Sequence, residues 1–448
     1  MAVLCRAMKF ALFFLFAAMP VFAEKVGPWD LDALKSTVPA MKWVRQDAPV
    51  RSLTYAGEKY QGHDTEVFAF YASPSTLGMD VKPGTKFPGV VCIHGGGGTA
   101  FAEWVYLWAK RGYAAIAMDL NGSRPPEPVY AVDGTPKGNA HDQKTRTRLP
   151  NGGPAHGHAE KFDCVLTPDT SDDWPFHAAA SVMRAHSLLR SFPEVDAEHT
   201  AVTGISWGGY TTCLVASLDD RFKAAVPVYG CGFLHEGESV QKPSIDKLDA
   251  AHRALWVKEY DPGSLLVRCR VPILFVNGTN DVHYVLDSYM KSYAVVPGEK
   301  QMRIQVNMPH GHPPGWAPQE IGLFIDSKCL KMTHVPGPDG GVWIQKPLPV
   351  IAAPMIQGEK AAAVCSITNG KLKNAVLHYT TDTGLRSKRT WKVVEGTLKE
   401  TGWTISGPNR ILSYEVSAPK PPAEANTWFI AVTDERGAMV STEVVLVP

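Results

Sequence analysis

The feature that most constrains the fold is a series of apolar runs separated by helix-length segments between residues 88 and 308. The runs read PGVVCIH, AAIAMDL, TAVTGI, KAAVPVYG, VPILFVNG and MRIQVNM. Continuous apolar runs of this length are typical of strands that are buried on both faces. Strands that alternate with helices predict an α/β fold with a doubly wound, mostly parallel sheet. In such a sheet, the residues that do chemistry lie at the carboxyl ends of the strands.

Residues 50–71 alternate in polarity around a polar turn and predict an antiparallel hairpin ahead of this series. Two aperiodic segments, 121–175 and 232–261, interrupt the series. Long irregular segments inside a compact domain are usually functional loops or lids, although an insertion without a role is the alternative. Because the first segment follows a strand's carboxyl end, we expect it to extend over the residues that do chemistry at that edge of the sheet.

The ends of the chain differ from this pattern. Residues 1–23 combine Arg6 and Lys9, an uncharged apolar run over 10–19 and the small-residue spacing of Val21-Phe22-Ala23. They predict a signal peptide and a secreted or periplasmic protein. The apolar run is shorter than the roughly 20 residues that span a membrane, so no membrane span is expected.

Residues 24–330 are the predicted catalytic domain. Beyond a Pro/Gly-rich linker, residues 345–448 contain several short alternating strands with turn signals between them. Strands at this spacing over about a hundred residues predict a small all-β sandwich.

Composition excludes several classes of partner and cofactor. The formal net charge is +1 and there is no run of Lys or Arg, so neither nucleic acid nor an anionic membrane is an expected partner. The eight cysteines show no metal-binding spacing, and Cys92 and Cys213 lie in apolar segments as expected of core residues. His141, His156 and His158 are interpreted as loop residues, so we predict neither metal nor cofactor.

The stretch GISWGGY places Ser206 between glycines, directly after a buried run and before a predicted helix. A G-x-S-x-G sequence in that context predicts a sharp turn that lifts a nucleophilic serine above the sheet. A plain glycine-rich turn is the alternative. The flanking glycines are needed because side chains there would clash.

A serine hydroxyl needs a base to take its proton and an acid to orient that base. Asp281 follows the run VPILFVNG, and His310 follows MRIQVNM, which is the chain order serine, acid, histidine. His312 is the alternative base. His310 is preferred because it leads the loop directly from the strand.

The sequence HGGGG, residues 94–98, follows the first buried run and predicts an oxyanion hole. The expected backbone donors are Gly95, Gly96 and Trp207, the residue after the nucleophile. Tyr284 and Trp316 lie near the motif loops and are candidate substrate-binding residues. Trp104 also lies near these loops and could stack on a sugar ring, but core packing is at least an equal alternative for it.

These motifs resemble those of α/β-hydrolases, and most closely the branch of prolyl-oligopeptidase-type domains, dienelactone-hydrolase-like proteins and acetyl xylan esterases. The segments that carry the resemblance are HGGGG, VTGISWGGY, NGTNDVHY and MPHGHPPGW, within about residues 88–316. Dienelactone hydrolases themselves are less similar because they typically have cysteine where Ser206 stands.

The resemblance implies a secreted serine carboxylesterase that removes acetyl or similar groups from polysaccharides or oligosaccharides. The expected partner is therefore a glycan or small-molecule ester, and the sequence does not indicate an oligomeric state. About 65 residues lie between the predicted cleavage site and the first buried run, too few for the β-propeller of the related peptidases, whose blades take roughly 40 residues each. A prolyl-oligopeptidase-type peptidase and a non-catalytic glycan-binding protein stay as alternatives.

Overall fold

The computed structural model describes residues 24–137, 142–155, 157, 161–166, 170–330, 333–335, 342–344 and 346–447. Its main element is a nine-stranded sheet. In chain order the strands are β1 Met41–Arg45, β2 Arg51–Ala56, β3 Glu66–Ala72, β4 Phe87–Ile93, β5 Ala114–Met118, β6 Val195–Ile205, β7 Ala224–Val228, β8 Ile273–Gly278 and β9 Lys300–Gln305. The predicted signal peptide, residues 1–23, lies outside the described residues.

The strand order is β9-β8-β7-β6-β4-β5-β3-β2-β1. Strands β4 to β9 pair in parallel, whereas β1, β2 and β3 pair antiparallel at one side. The predicted mostly parallel sheet and the predicted hairpin are both confirmed. Strands β4, β6, β7 and β8 end at neighbouring positions, so the loops that follow them meet above one edge of the sheet.

Helices cover the sheet. The longer ones are α1 Ala102–Lys110, α2 Trp174–Ser191, α3 Trp207–Leu218, α4 Ala250–Tyr260, α5 Leu286–Val295 and α6 Gln319–Cys329, and shorter ones span Leu31–Ser36, Lys242–Ile245, Pro262–Leu265 and His312–Trp316. All twelve residues of α3 are buried, as expected for a helix between the sheet and other elements. This packing fixes the start of α3, where Ser206 is located.

The two predicted insertions are more structured than their sequences suggest. The first contains two-stranded ribbons, Ser123–Arg124 with Thr147–Arg148 and Val129–Tyr130 with Pro136–Lys137, and ends where α2 begins at Trp174. The second contains α4, which the irregular sequence did not predict, because α4 has only three buried residues and hence no clear apolar period.

The C-terminal part forms two five-stranded antiparallel sheets. Their strands are β10 Val350–Ile351, β11 Met355–Gln357, β12 Lys360–Thr368, β13 Leu372–Thr380, β14 Lys392–Glu395, β15 Thr397–Ser406, β16 Asn409–Pro419, β17 Thr427–Asp434, β18 Met439–Ser441 and β19 Val445–Leu446. A separate ribbon joins Thr333–Val335 to Val342–Ile344. Strand β15 was not predicted, because it is an edge strand with mostly exposed residues and no alternation.

Strand β18 lies against the open edge of the large sheet. The Ile304 N–H donates to Ser441 Oγ at 3.0 Å, and the Met439 N–H donates to Glu320 Oε1 at 2.7 Å. Glu320 also pairs with Arg303 at 2.9 Å in a buried position. The C-terminal sheets therefore cover an edge strand that would otherwise present unpaired backbone groups.

No helix within the described ranges has the length and apolar character that a membrane crossing requires. Cys92 and Cys213 are buried, which confirms their interpretation as core residues.

Candidate active site

Ser206 lies in a strained turn between β6 and α3. Its backbone has φ 60° and ψ −117°, a combination that costs a non-glycine residue free energy and is found where the surrounding structure enforces it. The Ser206 N–H donates to the carbonyl of Val228 at 2.8 Å, which ties the turn to the end of β7. The predicted strand–turn–helix context of the serine is present.

The glycines around this turn allow close backbone contacts. A Cβ atom on Gly204 would overlap the Gly208 carbonyl, and one on Gly208 would overlap the Ile93 carbonyl. Any larger residue at either position would separate α3 from β4 or open the turn. The spacing of the two glycines is thus a requirement of packing around Ser206.

Asp281 and His310 form a direct pair. Asp281 Oδ2 lies 2.7 Å from His310 Nδ1, while Asp281 Oδ1 accepts the N–H groups of His283 at 2.8 Å and Tyr284 at 2.9 Å. The Asp281 side chain is 2% exposed and that of His310 28%. A carboxylate on Nδ1 favours the neutral tautomer whose Nε2 accepts a proton.

Tyr229, which follows β7, is a site residue that sequence reasoning missed. Its ring stacks on that of His310 at 4.5 Å between centroids, and its hydroxyl donates to the Pro309 carbonyl at 2.6 Å. Tyr229 also has a positive φ, 53°. Tyr229 packs on the face of the His310 ring. Because the preceding residue, Val228, accepts the Ser206 N–H, this stretch of chain links the serine turn to the histidine loop. Its place after a buried strand was the only sequence signal.

The alternative base, His312, occupies a different position. Its Nε2 accepts the Gly95 N–H at 3.0 Å, and its ring packs on Phe101 at 4.6 Å. Of the two candidate histidines, the one in contact with Asp281 is His310. The contact also revises the predicted oxyanion hole, because the Gly95 N–H is engaged with His312 and so is not directed to a substrate.

The other two predicted oxyanion donors, Gly96 and Trp207, stay predictions. Gly96 is exposed in the loop after β4. Trp207 is the first residue of α3, where backbone N–H groups have no acceptor within the helix. Its ring is buried among Phe162, Trp174 and Tyr210, with centroid distances of 5.7, 5.9 and 4.9 Å.

The other aromatic candidates divide between core and surface. Tyr284 is 0% exposed, so its ring cannot stack on a substrate in this conformation, and its contribution to the site is the N–H bonded to Asp281. Trp104 is buried, which favours its core interpretation. Trp316 is half-buried and contacts Trp104 and Phe101, which follow the glycine loop in the chain.

We expect Gly95→Ala to lower kcat for an ester substrate at least tenfold. A Cβ atom there would lie 2.6 Å from the Ile205 carbonyl oxygen and 2.9 Å from Ser206 Cβ, so the loop or the serine turn must move. The matched control is Gly384→Ala, where an added Cβ meets no atom within 4 Å and kcat should not change. Equal kcat values for the two variants would contradict this account of the loop.

Among the residues that the structure describes, no group of three or more His, Cys, Asp or Glu side chains is arranged to hold a metal ion. His141, His156 and His158 lie outside the described residues.

Two family models match the sequence. The model described as acetyl xylan esterase (AXE1) matches residues 46–241, and the model of the prolyl oligopeptidase family matches residues 170–320. The comparison with curated protein sequences finds no match.

Solved structures with a similar fold include an acetyl xylan esterase from Paenibacillus sp. R4, with 21% identity, a TM-score of 0.49, and coverage of 66% of this chain and 92% of that one. Acetyl xylan esterase 1 from Thermoanaerobacterium sp. JW/SL YS485 has 16% identity and a TM-score of 0.45, with 62% and 86% covered. A puromycin-hydrolyzing peptidase from Mycobacterium tuberculosis has 19% identity and a TM-score of 0.43, with 63% and 40% covered.

The mixed sheet and the two family models together define the class. The chain belongs to the α/β-hydrolase superfamily and is a serine hydrolase.

Proposed function

We propose that the chain is a serine carboxylesterase in which Ser206 is the nucleophile, His310 the general base and acid, and Asp281 the residue that orients His310. The observation that carries this proposal is the 2.7 Å contact between Asp281 and His310, at the same edge of the sheet as the strained turn of Ser206.

In the proposed reaction, His310 Nε2 takes the hydroxyl proton as Ser206 Oγ attacks the ester carbonyl carbon. The N–H groups of Trp207 and Gly96 donate to the oxyanion of the tetrahedral intermediate. The alcohol leaves with the proton from His310, and the acyl group stays on Ser206. Water then attacks with the same base, which releases the carboxylic acid and restores the serine.

The proposed substrate is an acylated, and specifically acetylated, polysaccharide or oligosaccharide. Support comes from the acetyl xylan esterase family model, which matches a segment that contains the glycine loop and Ser206. We further propose that residues 24–330 form the catalytic domain, that residues 345–448 form a separate β-sandwich, and that residues 1–23 direct export to the periplasm or the medium. Trp316 is the proposed stacking residue for a sugar ring.

A peptidase of the prolyl-oligopeptidase type is the second candidate. The observation in its favour is that the prolyl oligopeptidase family model spans Ser206, Asp281 and His310. Ester and amide hydrolysis share the acyl-serine step, so the arrangement of the three residues does not distinguish between them.

A substrate panel separates the candidates. It contains acetylated xylan, other acylated glycans, p-nitrophenyl esters of increasing acyl length and aminoacyl-naphthylamides, each assayed with the wild type and with Ser206→Ala. We expect acetate release from glycans and a preference for short acyl chains, both lost in the variant. Amide cleavage without ester preference would refute the esterase proposal and favour the peptidase. A chain that binds acylated glycans without any turnover would instead be a glycan-binding protein.

A further inference from the structure

The first insertion contacts the glycine loop through Arg146. Its Nη1 donates to the Gly98 carbonyl at 2.7 Å, and its Nη2 donates to the Gly97 carbonyl at 2.8 Å. A planar guanidinium with two parallel donors holds two acceptors in a fixed relative geometry, which a lysine cannot do. The two carbonyls belong to consecutive residues of the loop that carries the proposed oxyanion donor Gly96.

Peptide groups within the glycine loop connect the carbonyls bound by Arg146 to the Gly96 N–H. The Gly97 carbonyl shares a planar peptide group with the Gly98 N–H, which donates to the Gly95 carbonyl at 3.0 Å. The Gly95 carbonyl in turn shares a peptide group with the Gly96 N–H, and in a trans peptide the two point in opposite directions. A continuous series of hydrogen bonds therefore runs from Arg146 to the peptide group that contains the Gly96 N–H.

The Gly95 carbonyl accepts from a second donor, the buried side chain of His94. His94 Nδ1 lies 2.8 Å from the Gly95 oxygen, and His94 Nε2 accepts the Leu120 N–H at 2.9 Å, which assigns the proton to Nδ1. Burial lowers the pKa of His94, so that the ring is neutral and this pattern is kept. The Gly95 carbonyl is thus held on the inner side of the loop, and the Gly96 N–H faces outward.

Two further side chains donate to the carbonyls that Arg146 contacts. Asn121 Nδ2 lies 2.9 Å from the Gly98 oxygen, and Gln143 Nε2 lies 3.3 Å from the Gly97 oxygen. Both come from the insertion, as Arg146 does. The insertion is therefore attached to the glycine loop at several points, with Arg146 as the charged one.

We propose that Arg146 is a positioning residue of the oxyanion hole, which fixes and polarises the peptide groups that end in the Gly96 N–H. This inference rests on the proposed function of Ser206 and its neighbours. Hydrogen bonds in series strengthen one another, and a cation at the start of the series makes the last N–H a stronger donor. The insertion then contributes to the transition state and not only to the shape of the binding pocket.

The test compares Arg146→Lys and Arg146→Ala with the wild type on p-nitrophenyl acetate. We expect kcat to fall about 10- to 100-fold in both variants, less than the loss on removing an oxyanion donor, with KM changed less than about threefold. The affinity for a trifluoromethyl ketone, which forms a tetrahedral adduct with the serine, should fall by a similar factor. The labelling rate of Ser206 with a fluorophosphonate should fall as well.

Arg148→Ala is the matched control. Arg148 lies in the same insertion and also donates to backbone carbonyls, those of Asn121, Gly152 and Gly153, none of which belongs to the glycine loop. We expect Arg148→Ala to lower the melting temperature while kcat stays within about twofold of the wild type. A thermal melt of each variant shows whether Arg146→Lys is folded.

Wild-type kcat and labelling in a folded Arg146→Lys variant would overturn the inference, and so would a rise in KM alone, which would make Arg146 a substrate contact. If the wild type cleaves amides and not esters, the comparison is repeated on the amide, because the same oxyanion forms. Failure of the proposed function has a different signature, namely the absence of any turnover or labelling that depends on Ser206.

Discussion

Ser206→Ala is expected to abolish hydrolysis of p-nitrophenyl acetate, with a loss in kcat of about 10⁴-fold or more. The physical reason is that the variant has no hydroxyl in the strained turn between β6 and α3, where the backbone has φ 60°. The measurement is initial-rate kinetics on the purified variant, together with a thermal melt. Because alanine is smaller than serine and the turn is set by Gly204 and Gly208, we expect the melting temperature to stay close to that of the wild type.

Ser413→Ala, on strand β16 of the C-terminal sheets, is the control for a serine-to-alanine change away from the site and should keep full activity. Turnover near the wild-type level in Ser206→Ala would show that the nucleophile lies elsewhere.

His310→Ala should cost about 10³-fold or more in kcat, whereas His312→Ala should cost no more than about tenfold. His310 is the histidine that contacts Asp281, at 2.7 Å, and its loss removes the acceptor for the serine proton. His312 supports the glycine loop through the Gly95 N–H at 3.0 Å, so its loss loosens the loop without removing the base. Rates are measured over a range of pH.

His312→Gln keeps an acceptor that can reach the Gly95 N–H and should restore part of the activity that His312→Ala loses. His310→Gln should show no such recovery, because an amide cannot act as the base. A larger loss in His312→Ala than in His310→Ala would reverse the assignment of the two histidines.

The sequence predicted the parts of the site that follow from local patterns. Ser206, Asp281 and His310 each follow an apolar run, and parallel strands place the residues that follow them at one edge of the sheet. The antiparallel hairpin of β2 and β3 also follows from short-range alternation. For these elements, the local pattern and the tertiary structure agree.

Contacts between distant segments could not be predicted in this way. The bond between Gly95 and His312 joins residues 217 positions apart, and that between Arg146 and Gly98 starts from a segment without period. The burial of Tyr284 and the stacking of Tyr229 on His310 likewise depend on how loops pack above the sheet. Such contacts depend on the relative positions of loops, about which hydrophobic periodicity carries no information.

The measurement that tests the central claim most directly is covalent labelling with a fluorophosphonate, followed by peptide mapping by mass spectrometry. The reagent reacts fastest with a serine that a neighbouring base activates. We predict one adduct per chain, on the peptide that contains Ser206, with no adduct in Ser206→Ala and much slower labelling in His310→Ala. An adduct on another residue, or a fully active protein that does not react, would contradict the assignment of Ser206 as the nucleophile.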